Sequence, residues 1–187
     1  LSDLTFLLEG ILGDEDTISS EAIVNHEGYR ILVRRLMENV EVPGLLDRLV
    51  QRDGGRVDLW NGIRYDAPGC MMNDTGVTDP GGSHADGTGI FGTQFLTPET
   101  EETTYCHFAA VRQTPSPVLP DIADELREKL SELRRIAFAE QDAPLIEAQQ
   151  VRLNAARVRG ENPSLLGIDK GPVAYQRIFK KLKNAEA

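Results

Sequence analysis

The period of the apolar positions changes along the chain, and each change predicts a different element. Leu4, Leu7, Leu8, Ile11 and Leu12 recur at the spacing of one helix face, which predicts a helical stub over residues 1–12 ending near Gly13. The acidic stretch Gly13-Asp14-Glu15-Asp16 lacks the alternating ligand spacing of a calcium loop and reads as a solvated turn. "EAIVNHEGYRILVRRLMENV" reads as a hairpin turning around Asn25 to Gly28. His26 falls in that turn, and Ile31, Val33 and Leu36 supply inward positions. "PGLLDRLVQRDGG" predicts a short helix, with Pro43 near its first turn and Gly54-Gly55 past its end.

From Arg56 to Arg112 the pattern is β. "RVDLWNGIRY", "GCMMNDTGV", "TGIFGTQFL" and "TTYCHFAAVR" are separated by Gly, Pro and Asp clusters. No strand leads through "TDPGGSHADGTG" into a helix, so this is a flexible connection over a pocket, with His84 exposed, rather than a phosphate-cradling loop. After "PSPVLP" the period becomes helical, with Ile122, Leu126, Leu130, Leu133, Ala137, Leu145 and Ala148 on one face and Asp121 as N-cap. Pro144 is expected to interrupt this helix near Gln141 to Ala143. "PVAYQRIFKKLKNA" forms a closing helix with basic residues in its last turns, as the helix dipole favours. Strands followed by helices indicate an α+β domain, an antiparallel sheet curled around a long C-terminal helix.

A length of 187 residues suits a single domain with a real hydrophobic core. The net charge of −10 argues against general nucleic-acid or anionic-membrane binding. Cys70 and Cys106 stand in no metal-binding spacing, which excludes a zinc ribbon, a disulfide scaffold and a self-contained iron–sulfur site; the expected state is two buried thiols. No apolar run reaches the ~18–20 residues needed to span a bilayer, and no leader pattern opens the chain, so a cytoplasmic location is expected. Leu1 opens directly into an uncapped helical pattern, from which an incomplete N-terminus is expected.

Three stretches resemble one family. "FLTPETEETTYCHFAAVR" (Phe95 to Arg112) is similar to paired strands in the catalytic domain of Rieske non-haem iron oxygenases, above all the vanillate- and dicamba-type O-demethylases. "FAEQDAPLIEAQQ" (Phe138 to Gln150) resembles the helix that carries their iron-binding carboxylate, and "LLGIDKGPVAYQRIFKKL" their closing segment. The resemblance implies a helix-grip, START-like catalytic domain over residues 1–187, a homotrimer, a small aromatic substrate, and electrons supplied by a reductase or ferredoxin. It also implies Fe(II) held by two histidines and one carboxylate, and a [2Fe–2S] cluster in a separate domain that this chain does not bind.

On this resemblance Asp142 falls at the carboxylate position, while Asp3 and Leu8 fall at the two histidine positions. Asp3 and Asp142 are the candidate metal ligands. Leu8 has no lone pair, so the ordinary iron centre is lost and no residue receives a catalytic role. Asp142 has a second reading, as a carboxylate favoured at a helix N-terminus ahead of Pro144. Asn73, with Met71 on the same strand face, resembles a position where an amide faces substrate; the alternative is an Asn ending a strand at a turn. His107 and Cys106 alternate to opposite strand faces, so they form no ligand pair, and His107 reads as a satisfied strand residue. Trp60 and Tyr65 read as core or interface packing. Two functional readings follow. One is the catalytic portion of an aromatic monooxygenase or O-demethylase, inactive as it stands; the other is a non-catalytic small-molecule-binding or scaffold subunit.

Overall fold

The structure, a computed structural model, describes residues 20–50, 53–113, 120–162 and 169–186. The expected helical stub, the acidic turn, Asp3 and Leu8 lie outside the described residues, as does the side chain of Asp121. The strands are β1 (Ile23–Glu27), β2 (Arg30–Glu41), β3 (Arg56–Asp66), β4 (Cys70–Thr78), β5 (Thr88–Pro98) and β6 (Thr104–Arg112). They pair antiparallel in sequence order, which leaves β1 and β6 as the edges. The helices are α1 (Gly44–Val50), α2 (Pro120–Arg135), α3 (Ala143–Val158) and α4 (Lys170–Glu186). The result is the expected α+β helix-grip class, a curled antiparallel sheet and a long helix. The sheet with α1 and α4 is one compact unit, and the helical stretch from α2 through α3 is a second.

Strand alternation puts Ile31, Val33, Met37, Val57, Leu59, Ile63, Tyr65 and Val77 on one face, called the inner face below. Its core is deep: Leu59 and Val57 are each 1% exposed. Leu46 of α1, at 0%, is as deeply buried. Helix α4 lies against β1 and β2, with Ile178 buried and Tyr175 edge-on to Tyr65 at 4.8 Å. Burial, reinforced by the Tyr175 hydroxyl, pushes the Tyr65 phenol well above its ordinary range.

Several expectations change. The hairpin turns at Gly28-Tyr29, one residue pair later than expected, because Gly28 takes φ +58° at the first loop position, as such two-residue turns require. His26 therefore lies in β1, paired with Ile31. Leu36 is not inward: it differs in parity from Ile31 and Val33 and is 59% exposed, while Met37 takes the buried position. Both cysteines are exposed rather than buried, and Cys106 lies on the edge strand β6. Their register sets them two strands apart on opposite faces, since Cys70 aligns with Phe95 and His107 while Cys106 aligns with Leu96.

Pro144 does not interrupt the helix. Residues Ile136–Asp142 widen into a π-helical segment between α2 and α3, and the Ala143 N–H bonds the Phe138 carbonyl. Proline lacks an N–H and its ring crowds the carbonyl four residues earlier. A wider turn ahead of it absorbs both defects without ending the helix.

Candidate functional site

Register fixes which side chains of the inner face meet. Met71 lies between Tyr65 of β3 and Gln94 of β5, and Phe108 of β6 completes that row. Two residues along the strands, Asn73 lies between Ile63 and Gly92, with Ala110 beyond. The next row runs Arg35, Asn61, Thr75, Ile90 and Arg112. Asn73 sits inside β4, not at its end, so the strand-ending alternative is not what the chain builds. Thr75 Oγ1 donates to Asn73 Oδ1 at 2.8 Å, which leaves the amide N–H groups of Asn73 as outstanding donors.

The described strand residues of this face include no carboxylate, although the chain carries a net charge of −10. Its two guanidinium groups differ. Arg35 Nη1 donates to the Ser20 carbonyl. Arg112 Nη1 is buried and has no hydrogen-bond partner.

On the other face the aspartates of β3 and β4 are paired within the fold. Asp74 accepts from Trp60 Nε1 at 2.8 Å and Gln113 Nε2 at 3.0 Å, and lies 3.2 Å from His84 Nε2. Buried Asp58 accepts from Asn39 N and Gly81 N, each at 2.7 Å. These contacts tie down the β4–β5 connection expected to be flexible; His84 remains exposed, as expected, and packs on Trp60 at 4.3 Å. Trp60 is core, 8% exposed. His107 is exposed and stacks with Tyr105 at 6.2 Å.

Asp142 closes the π segment and belongs to the helical unit. It is 5% exposed, and its Oδ1 has no hydrogen-bond partner, nor does Oε1 of neighbouring Gln141. Burial raises its carboxyl above the usual carboxylate range. It makes no capping bond and has helical φ and ψ, so no open helix N-terminus accounts for it. A buried carboxyl oxygen left without a partner is costly to the fold.

Residues 1–185 match the vanillate O-demethylase oxygenase C-terminal domain. The chain belongs to that family. It is 26% identical over 178 residues to the dicamba O-demethylase oxygenase component of Stenotrophomonas maltophilia, covering 92% of this chain and 49% of that protein. It is 28% identical over 130 residues to the chloroacetanilide N-alkylformylase oxygenase component of Rhizorhabdus wittichii, covering 70% of this chain and 36% of that protein. The chain thus spans half or less of the length of these relatives. A crystal structure of dicamba monooxygenase bound to 3,6-dichlorosalicylic acid superposes with a TM-score of 0.84 at 21% identity, covering 98% of this chain and 53% of that one. Another, with non-haem iron and dicamba, gives 0.70 at 24% identity, covering 89% and 49%. These likenesses establish the shared fold.

The described residues do not by themselves make a three-donor iron centre: Asp142 offers one buried oxygen, Oδ1, without a hydrogen-bond partner. Among the described residues no group of three or more His, Cys, Asp or Glu converges on one point. No helix among the described residues is long and apolar enough to cross a membrane.

Sequence reasoning placed Met71 and Asn73 on one strand face, and the register agrees. It passed over Arg112 and Gln94. A signal existed for Arg112: it is the one charged residue in a strand whose other inward positions are Cys106, Phe108 and Ala110.

Proposed function

We propose that this chain is a small-molecule-binding domain of the oxygenase-component type that takes an aromatic ligand on the inner face of its sheet and is inactive as an oxygenase as it stands. What supports this reading is Leu8, which on the resemblance takes one of the two histidine positions. A facial iron site needs three donors on one side of the metal, and an alkyl side chain at one of them leaves Asp3 and Asp142, two hard oxygens that bind Fe(II) weakly. The inner face supports the binding half of the reading, with Met71, Ile63 and Phe108 as apolar wall and the Asn73 amide as an orienting group. In a working oxygenase of this family, electrons would come through a [2Fe–2S] cluster outside these residues and from a reductase or ferredoxin. A homotrimer and a cytoplasmic setting belong to the same reading.

An anaerobic Fe(II) titration, beside Asp142→Ala, tests it. The expected outcome is no binding in the micromolar range by the folded protein. Micromolar binding that disappears in Asp142→Ala would overturn the inactive reading and establish an oxygen-rich metal centre.

A further inference from the structure

Helix α4 is strongly basic in an acidic chain. It carries five cations, Lys170, Arg177, Lys180, Lys181 and Lys183, against one carboxylate, Glu186 at its last position. The chain as a whole carries −10, so with +4 on α4 the remainder carries −14. Helical spacing gathers these cations on one side. Arg177, Lys180 and Lys181 stand at i, i+3 and i+4, and Lys183 lies three beyond Lys180. All five are exposed, whereas Ile178 is buried and Tyr175 meets Tyr65 of the sheet. From Lys170 to Lys183 the row is about 20 Å long.

The fold does not neutralise this row. Among the described residues none of the five cations makes an ion pair, and residues 170–185 contain no acid to stand a turn away. Helix α2 is built differently: Asp124 pairs with Arg127, and Glu132 with Arg135, each at 2.7 Å. The helix dipole favours Lys183, in the last turn, but it fades within a turn and opposes Lys170 at the other end. Like charges a turn apart repel, so α4 holds a row that its own helix disfavours.

We infer that this face of α4 docks an acidic segment of another protein. The charge of the remaining chain selects that occupant from among the polyanions. A membrane plane or a nucleic-acid duplex extends well past a patch of about 20 Å. It would bring its own negative charge within the roughly 8 Å over which the acidic remainder acts in physiological salt. An acidic loop or a few turns of acidic helix match the row and end where it ends. Phe179, four residues before Lys183 and 40% exposed, flanks the row with an aromatic side chain of the kind that anchors protein interfaces. The inference is independent of what the inner face of the sheet binds.

The test is fluorescence anisotropy of a labelled deca-glutamate peptide against the full chain. A short DNA duplex, and co-sedimentation with vesicles of phosphatidylserine and phosphatidylcholine in equal parts, give the competing readings. The peptide is expected to bind, and the duplex and vesicles are not. Lys180→Glu with Lys181→Glu should weaken peptide binding by at least about tenfold, the lower end of what a local field of one sign contributes to association. Arg152→Glu with Arg157→Glu makes the same change in net charge at exposed positions of α3 and should leave binding nearly unchanged. Lys180→Gln with Lys181→Gln keeps good helix formers and gives a smaller loss in the same direction, should the charge reversal unfold α4. Salt at about 1 M, where the screening length is about 3 Å, should abolish binding. No binding of the peptide by the folded protein, an equal loss in the α3 variant, binding that survives high salt, or tighter binding of duplex or vesicles than of peptide would each overturn the proposal.

Discussion

The two faces of one sheet differ in where their charges lie and in which polar groups find partners. On the outer face Asp58, Asp66 and Asp74 each have partners: two backbone N–H groups for Asp58, two arginines for Asp66, and an indole, an amide and an imidazole for Asp74. The inner face holds the deeper apolar core, and there Asn73 and Arg112 keep donors that nothing in the described protein accepts. Polar groups that serve the fold are closed by the fold itself. The donors left open on the inner face are available to a bound ligand.

The sharpest way to break this division is to ask whether the inner face carries the stability. Leu59 is 1% exposed on that face, and Leu36 is 59% exposed on the other, although both lie in adjacent strands. Leu59→Ala is expected to cost about 2–5 kcal/mol, from lost transfer energy and the cavity left behind. Leu36→Ala should stay within about 0.5 kcal/mol. Urea unfolding of the two variants measures both, and a similar cost for each would mean that the outer face is covered and that the division is drawn in the wrong place.

The next effect in size sharpens the outer side. The indole of Trp60 crosses Gly76 so closely that an added Cβ would sit 2.2 Å from its ring and 2.6 Å from the Thr88 carbonyl. Gly76→Ala must push the ring off Asp74, at a cost of about 1–3 kcal/mol by overpacking. Trp60 is the one tryptophan of the chain, so its fluorescence reports this cluster alone. A red-shifted emission in the folded variant is the expected result. Unchanged emission would mean that the ring is not held where its bond to Asp74 places it.

Much of this arrangement was legible because alternation is a strong signal. Four β runs between Arg56 and Arg112 became four strands, and the parity of Met71 and Asn73 followed from strand geometry alone. Parity also exposes the misreading of Leu36, which period two cannot place beside Ile31 and Val33. What a single sequence does not contain is pairing. That β6 is an edge strand decides the exposure of Cys106 and His107, and only the strand order reveals it. Arg112 became informative only when its row showed no acidic neighbour. Pro144 predicts a break because the π-helical alternative leaves no local mark in the sequence. Asp142 entered through resemblance, and its burial with an open oxygen is what the structure adds.

The smallest effect concerns Asp66, on the outer face, where charges are paired but wet. Arg64 and then Arg30 hold its carboxyl below the usual value of 3.8 through hydrogen bonds at 2.8 and 2.7 Å. A carboxylate with a depressed folded pKa adds stability that is fully present above its unfolded pKa and is lost as pH falls through the lower, folded value. Asp66→Asn should therefore lower stability at neutral pH and make no difference once the solution is more acidic than the folded pKa. The Asp66 side chain is 37% exposed, so water and salt screen these contacts and the loss at neutral pH stays under about 1 kcal/mol. Urea midpoints of the two proteins, compared at neutral pH and in acid, measure it. A loss of several kcal/mol would show that the Asp66 cluster is shielded from water, and that the outer face is as dry there as the core of the inner one.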